Sequence, residues 1–139
     1  KVNFLLKSYT AEEQSRFRIV SSLGTVDLMK VAYAAADLVI ARAGAGTIFE
    51  IAAFRKPSIL IPLPEGKDQR ANAYEYAGTG AAVVMEQGNL MPNLFHAQVI
   101  KILSDEQVQL KMKEAAGKFA RPNAARVVAE EILKLVFSN

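Results

Sequence analysis

The sequence predicts an α/β fold in which a doubly wound parallel sheet is followed by a helical C-terminal end. Short runs of Val, Ile and Leu alternate with longer segments of helical periodicity, a pattern typical of parallel sheets covered by helices on both faces. Beyond residue 93 only helical patterns follow. The 139 residues, 51% of them hydrophobic, are enough for one core, so we expect a single domain over 1–139.

The first part of the chain is predicted to alternate strands with helices. The predicted strands are VNFLL (2–6), RIVSS (18–22) and DLVIA (37–41). Thr10 and Glu13 have the spacing of a capping box that starts a short helix between the first two strands. Asp27 can cap a helix over 28–35, and a further helix is predicted over 47–54.

The second part of the chain continues this alternation and then becomes helical. The predicted strands are SILIPLP (58–64), which is ended by its own prolines, and AAVVME (81–86). The helix ANAYEYAG (71–78) is closed by Gly78, because glycine commonly ends helices. The remaining helices are predicted over 94–103, 105–118 and 123–136, the last beginning behind Pro122, a residue type favoured in first turns.

Composition and charge exclude several classes of protein. The chain has no cysteine, which excludes disulfides and cysteine metal sites. Its formal charge of +3 arises from 17 basic and 14 acidic residues, without the dense basic block of a nucleic-acid-binding protein. No apolar run approaches the roughly 20 residues that cross a bilayer, and none at the N-terminus suits a signal peptide. We therefore expect a cytoplasmic protein with no transmembrane segment and no nucleic-acid partner.

The stretch ADLVIARAGAGTIFEIAAF (36–54) contains the first candidate site. An apolar strand stops at Arg42, and Gly44 and Gly46 then precede a helix, where ligands of open parallel sheets bind. Glycines permit positive φ and leave a surface free of side chains. An anion can then approach the amides of Ala45, Gly46 and Thr47 at the positive end of the helix. The alternative is a tight turn without a ligand.

Glu50 has two interpretations. Its spacing from Thr47 is that of a capping box, in which the carboxylate folds back on the Thr47 amide. Alternatively, Glu50 lies one helical turn beyond the phosphate site, where a carboxylate can accept hydrogen bonds from two vicinal ribose hydroxyls. Spacing alone favours the cap.

A polar loop, PEGKDQRANA (64–73), follows the neighbouring strand and supplies a second candidate site. Asp68 and Gln69 present acceptors and donors suited to sugar hydroxyls. The alternative makes Asp68 a helix cap and Gln69 a solvated loop residue. Asn72 is expected to hold the loop through hydrogen bonds to the backbone. Two adjacent strand ends therefore offer a glycine turn, two carboxylates and an amide.

These stretches together closely resemble one known domain. The segments ADLVIARAGAGTIFEIAA (36–53), KPSILIPLP (56–64) and DQRANA (68–73) are similar to the C-terminal, nucleotide-sugar-binding domain of glycosyltransferase family 28. The resemblance implies a Rossmann-like sheet that forms half of a two-domain GT-B glycosyltransferase. We expect this chain to be the donor-binding domain, truncated at its N-terminus, because no Gly-Gly-Ser-rich opening loop and no acceptor domain are present.

The resemblance also implies roles for individual residues. The residues that fall where the family contacts the diphosphate and the nearby sugar are Arg42, Ala45, Gly46 and Thr47. Glu50 falls where the family binds the uridine ribose. Gln69, with Asp68, falls where it holds the hydroxyls of N-acetylglucosamine. Leu23 and Val26 are both candidates for the residue whose backbone contacts the uracil.

The sequence departs from the family pattern at three places. Gly46 stands where a larger apolar residue is common, and Ala43 stands where serine is common. Asp68 with Gln69 replaces the more familiar His-Gln pair and is similar to family 1 transferases. Because of these departures, a donor that carries a sugar other than N-acetylglucosamine stays an alternative.

The implied activity is inverting transfer of N-acetylglucosamine from UDP-GlcNAc to a lipid-linked muramoyl-pentapeptide in peptidoglycan synthesis. Neither a metal nor another cofactor is expected. The catalytic base and the acceptor site are expected from the missing N-terminal domain, so we assign no catalytic residue here and expect this chain alone to be inactive. The full-length enzyme is expected at the cytoplasmic face of the plasma membrane.

Two alternatives for the function stay open. One is transfer of a different UDP-sugar, and the other is a non-catalytic nucleotide-sugar-binding subunit that needs a partner chain. A dinucleotide-binding oxidoreductase fits less well, because the full G-x-G-x-x-G motif does not follow the first strand.

Overall fold

The computed structural model describes residues 10–16, 20 and 22–137. The chain divides into two compact units, residues 1–31 and 32–139. Helix α1 (Ala11–Ser15) belongs to the first unit, and helix α2 is Val26–Ala35. The sheet and the remaining helices belong to the second unit. The expectation of one donor-binding domain over 1–139 stays a prediction.

The sheet of the second unit is parallel and has three strands in the order β1-β2-β3. The strands are β1 (Val39–Ala41), β2 (Ser58–Leu60) and β3 (Ala82–Val84). The predicted third, fourth and fifth strands are therefore confirmed, each shorter than the apolar run that contains it. The predicted strand 2–6 lies outside the described residues. Of the predicted strand 18–22, only Val20 and Ser22 are described, and neither is in a strand.

Helices connect the strands and form the C-terminal part of the chain. Their bounds are α3 (Ala45–Ala53), α4 (Lys67–Gly78), α5 (Pro92–Ser104), α6 (Glu106–Phe119) and α7 (Ala124–Phe137), with a short 3-10 helix at Gln87–Asn89. The three predicted C-terminal helices are confirmed to within two residues at each end. Helices α3 and α4 begin two and four residues earlier than predicted.

Two predicted helix ends are wrong in detail. The backbone N–H of Leu28 donates to Thr25 Oγ1 at 3.3 Å, so Thr25 caps α2 and Asp27 lies inside its first turn. Helix α4 ends at Gly78 as predicted, but the C-cap residue is Thr79, so Gly78 is the last helical residue and not the cap. Gly80 takes the left-handed conformation after the helix, with φ 88°, because glycine adopts it without a Cβ clash.

The core lies on both faces of the sheet. Ile59 in the middle of β2 is fully buried against Ile102 of α5 and Met112 of α6. The partly buried side chains around this cluster are Leu38, Ile61, Val83, Met85, Val99 and Val108. Ser58 and Leu60 alternate with Ile59 and are buried on the opposite face. Helix α4 contacts β3 and α3, and α3 contacts α6.

Parallel pairing determines where the chain exposes its backbone. Ala41 pairs with Leu60, and Leu60 pairs with Val84, so the three strands end at one edge of the sheet. Helix α3 starts only four residues after β1 ends. Its N-terminus therefore lies at this edge. Within the described ranges, no helix is both long enough and apolar enough to cross a membrane.

Replacement of Ile59 tests the position of the core. Ile59→Ala should lower the free energy of unfolding by about 3 kcal/mol, because the substitution leaves a cavity between the sheet and two helices. Ile40 pairs with Ile59 in the ladder but is 44% exposed, so Ile40→Ala should cost about 1 kcal/mol or less. Urea denaturation of both variants measures the difference. Equal losses would contradict this core.

Candidate functional site

The glycine turn between β1 and α3 leaves the N-terminus of α3 bare. Gly44 is the N-cap residue, and no side chain accepts a hydrogen bond there. The first amides of a helix have no partner within the helix and lie at the positive end of its dipole. The predicted exposed amides at residues 45–47 are therefore present at the strand edge.

Of the two reasons predicted for the glycines, positive φ and a surface free of side chains, the structure does not use the first. Gly44 has φ −67°, and neither Gly44 nor Gly46 has positive φ. A Cβ at Gly46 would meet no atom within 4 Å, and one at Gly44 would meet only Thr47 Oγ1 at 3.9 Å. Neither packing nor backbone strain within this chain requires glycine at these positions. What the glycines supply is a surface without side chains.

Glu50 is not part of a capping box. Helix α3 begins two residues before Thr47, so Thr47 is inside the helix and Glu50 lies one turn further along. The carboxylate of Glu50 accepts a hydrogen bond from the hydroxyl of Tyr33, at 2.9 Å between Tyr33 Oη and Glu50 Oε2. The capping interpretation is therefore wrong. An exposed carboxylate remains one turn beyond the bare amides.

Tyr33 is a residue that reasoning from the sequence missed. Its side chain is 8% exposed, and its ring stacks on Phe54 with centroids 5.4 Å apart. Burial, together with the hydrogen bond to Glu50, raises the pKa of Tyr33 to about 12. The signal in the sequence was weak: one tyrosine in the alanine-rich segment AYAAAD (32–37), where a buried hydroxyl requires a partner.

Arg42 lies across the end of β2. Its Nη1 donates to the carbonyl oxygens of Ile61 at 3.0 Å and Pro62 at 3.4 Å. These bonds fix the guanidinium at the strand edge. Arg42 also lines an open pocket of ≈ 480 Å³, together with Ile40, Ala41, Ile61, Gln87 and Leu90.

The second candidate loop is largely helical. Helix α4 begins at Lys67, so Asp68 and Gln69 are in its first turn. The N-cap is Gly66 and has no side-chain cap, so Asp68 does not cap the helix in the predicted sense. Gln69 Oε1 accepts a hydrogen bond from the backbone N–H of Leu63 at 3.2 Å, which ties the loop after β2 to α4. The solvated alternative for Gln69 is therefore also incorrect.

Asn72 joins the two candidate segments. Its Nδ2 donates to the carbonyl oxygen of Ala43 at 3.4 Å, which connects α4 to the glycine turn. The structural role predicted for Asn72 is confirmed, although its partner lies in the glycine turn and not in its own loop. The roles of Arg42, Ala45, Gly46, Thr47 and Glu50 as ligand contacts stay predictions, as do those of Asp68 and Gln69. Leu23 and Val26 belong to the first unit, and their role as uracil contacts stays a prediction too.

The groups at this edge can accommodate an anion at the helix N-terminus and hydrogen-bond donors at the carboxylate of Glu50. Bare amides at a helix N-terminus attract phosphate, and a carboxylate accepts hydrogen bonds only. Among residues 10–16, 20 and 22–137, no group of three or more His, Cys, Asp or Glu side chains is arranged to hold a metal ion.

The sequence of this chain is similar to those of several known proteins. A family model described as "Glycosyltransferase family 28 C-terminal domain" matches residues 4–128. A protein of Anaeromyxobacter sp. (strain Fw109-5) is 40% identical over 110 residues, which are 78% of this chain and 29% of that protein. A protein of Chlorobium luteolum is 42% identical over 112 residues, which are 79% of this chain and 31% of that protein.

Both relatives carry the name UDP-N-acetylglucosamine--N-acetylmuramyl-(pentapeptide) pyrophosphoryl-undecaprenol N-acetylglucosamine transferase. The chain thus spans less than one third of the length of the curated relatives that it matches. Among solved structures, the crystal structure of Acinetobacter baumannii MurG is similar, with a TM-score of 0.70 and 33% sequence identity. This likeness covers 85% of this chain and 33% of that chain.

Alkaline titration tests the environment of Tyr33. Because its pKa lies above the ordinary value of 10.0, the stabilisation that Tyr33 contributes is complete below pH 10 and is lost as the pH rises towards 12. Burial likewise raises the pKa of Tyr76 to about 12. Ultraviolet absorbance of tyrosinate should therefore show a late phase that Tyr33→Phe reduces. A late phase of unchanged amplitude in that variant would contradict this placement.

Proposed function

Because the chain belongs to the C-terminal domain family of glycosyltransferase family 28, we propose that it binds the nucleotide-sugar donor of an N-acetylglucosaminyltransferase. The donor is UDP-GlcNAc, and the acceptor of the whole enzyme is a lipid-linked muramoyl-pentapeptide. The names of its relatives, which are 40% and 42% identical, support this choice of sugar and acceptor.

One observation carries the proposal: bare helix amides and a carboxylate lie one turn apart on α3. No side chain caps the amides at the start of α3, and Glu50 follows them on the same helix. One helical turn advances about 5.4 Å, a spacing that suits a diphosphate at the amides and its ribose at the carboxylate. The opposite arrangement would place phosphate against carboxylate, which charge repulsion disfavours. The polarity of α3 therefore orients a nucleoside diphosphate.

The neighbouring residues supply the remaining contacts of the donor. Arg42 is anchored at the strand edge by Ile61 and Pro62, so its charge is held near the glycine turn. Asp68 and Gln69 lie in the first turn of α4. Asn72 joins α4 to the glycine turn through its bond to Ala43. We assign Arg42 to the diphosphate and Asp68 with Gln69 to the sugar hydroxyls.

In the reaction, an acceptor hydroxyl attacks the anomeric carbon as the bond from that carbon to the UDP oxygen breaks. The base that takes the hydroxyl proton comes from outside this chain. Helix amides at residues 45–47 stabilise the negative charge that develops on departing UDP, as preorganised donors do in other enzymes. We place the full-length enzyme at the cytoplasmic face of the plasma membrane, and the lipid undecaprenol in the relatives' names supports a membrane location.

Titration with nucleotides tests the ligand class. Isothermal calorimetry of the chain with UDP-GlcNAc, UDP and NAD should give binding of both uridine ligands and weaker binding of NAD. Helix α3 offers its bare N-terminus with a single carboxylate, Glu50, one turn beyond it, which matches one nucleoside diphosphate, whereas NAD presents two nucleosides. Tighter binding of NAD than of UDP would contradict the proposal.

Substitution of Glu50 tests the ribose contact. Glu50→Gln replaces a charged acceptor by a neutral amide, and charge-assisted hydrogen bonds are roughly twice as strong as neutral ones, so we expect about a tenfold loss of UDP affinity. The melting temperature should change little, because Glu50 caps no helix end and the amide oxygen of Gln can still accept the hydrogen bond from Tyr33.

The control compares UDP with 2′,3′-dideoxy-UDP. The unmodified chain should strongly prefer UDP, and Glu50→Gln should hardly distinguish the two. Glu114→Gln removes an exposed carboxylate on α6 and should leave the preference intact. If Glu50→Gln keeps the full preference for the diol, Glu50 does not bind the ribose.

A further inference from the structure

We infer that Tyr33 is a positioning residue for ribose recognition, because the hydroxyl of this buried residue holds the exposed carboxylate of Glu50 in one orientation. The inference rests on the proposed function. Tyr33 is absent from the set of residues that the sequence motifs select, and it lies seventeen positions from Glu50 along the chain. Its role is to act through Glu50 and not on the nucleotide itself.

The hydrogen bond leaves Glu50 able to receive a diol. Tyr33 donates to Oε2 only, at 2.9 Å. A carboxylate has about four lone-pair directions on two oxygens, so one bond leaves the others for acceptance. Two vicinal hydroxyls require two acceptor sites at fixed separation. A carboxylate that is held at one oxygen offers two acceptor sites to the ribose hydroxyls in a defined plane.

Tyr33 is itself held firmly. Its ring is 8% exposed and stacks on Phe54, with an interplanar angle of 19°. Phe54 follows Glu50 by four residues, and residues with this spacing share a face of a helix. The next residue in α2, Ala34, accepts a hydrogen bond through its carbonyl oxygen from Lys56 Nζ at 2.9 Å. Both the ring and the backbone beside it are therefore anchored to α3 and the segment that follows it.

Glu50 needs this support because it is exposed. A glutamate has several side-chain rotamers in solvent, and fixing one of them on binding costs conformational entropy. The Tyr33 hydroxyl is a hydrogen-bond donor that is already in place, so part of this entropy cost is met before the ligand binds. This is preorganisation. The Tyr33 hydroxyl is protonated, and so able to donate, throughout the neutral range, because its pKa of about 12 lies far above it.

The test is the preference for the diol in Tyr33→Phe, measured by NMR titration of the chain with UDP and 2′,3′-dideoxy-UDP. We expect affinity for UDP to fall about three- to tenfold, while affinity for the dideoxy ligand is unchanged. A purely structural role would lower both affinities together. The ratio of the two affinities is therefore the diagnostic quantity.

Tyr74→Phe is a matched control. The hydroxyl of Tyr74 also donates to a glutamate, at 3.0 Å from Glu86 Oε1, but Tyr74 lies on α4 and contacts no residue of α3 through that bond. This variant loses the same kind of hydrogen bond and should keep the full preference for UDP. Phe54→Leu keeps the Tyr33 hydroxyl but removes the ring beneath it. Phe54→Leu should lower the preference for UDP over the dideoxy ligand, but by less than Tyr33→Phe does.

The outcomes separate the inference from the proposed function. If the unmodified chain does not distinguish UDP from 2′,3′-dideoxy-UDP, both the proposed function and the inference are overturned. If Glu50→Gln abolishes the preference while Tyr33→Phe and Phe54→Leu retain it, the proposed function stands and the inference is wrong. Loss of preference in Tyr33→Phe, with Tyr74→Phe unaffected, supports the inference.

Discussion

The parallel pairing of β1 with β2 is the constraint on which the site depends. It aligns Ala41 with Leu60, so the turn after β1 and the loop after β2 emerge at the same edge of the sheet. Burial of Ile59 and Leu60 on opposite faces fixes this register, because a slip of one residue would exchange the two faces. The bare end of α3, the anchored Arg42 and the first turn of α4 all follow from it. In the proposed function, the N-terminus of α3 and the carboxylate of Glu50 on the same helix orient a nucleoside diphosphate at this edge.

Local sequence patterns predicted most of the described fold. The three strands are continuous apolar runs with proline or glycine beyond them, and the C-terminal helices have clear periodicity, so local rules were enough. Helix ends were less predictable. Glycines at positions 44 and 66 act as N-caps without a side-chain bond, so the usual capping residues did not mark the starts of α3 and α4. Thr47 and Glu50 matched a capping box by spacing alone, although the helix had already begun.

The candidate site was predictable as a set of segments but not as a set of contacts. Arg42 was selected through the family resemblance, and its bonds to Ile61 and Pro62 depend on strand pairing. The Tyr33–Glu50 bond joins residues on different helices and exists only once α2 and α3 are packed together. Such long-range polar contacts leave no periodic trace in one sequence. For Glu50, the bond to Tyr33 and the start of α3 at Ala45 exclude the capping box, and the contact with ribose stays a proposal.

The position of UDP in a crystal structure of the chain tests the central claim most directly. The account predicts the diphosphate against the amides at residues 45–47, with both ribose hydroxyls within about 3.2 Å of the Glu50 carboxylate oxygens. The Tyr33 hydroxyl should remain bonded to Glu50 Oε2 in that complex. A uridine whose ribose lies away from Glu50, with its diphosphate at another part of the chain, would contradict it.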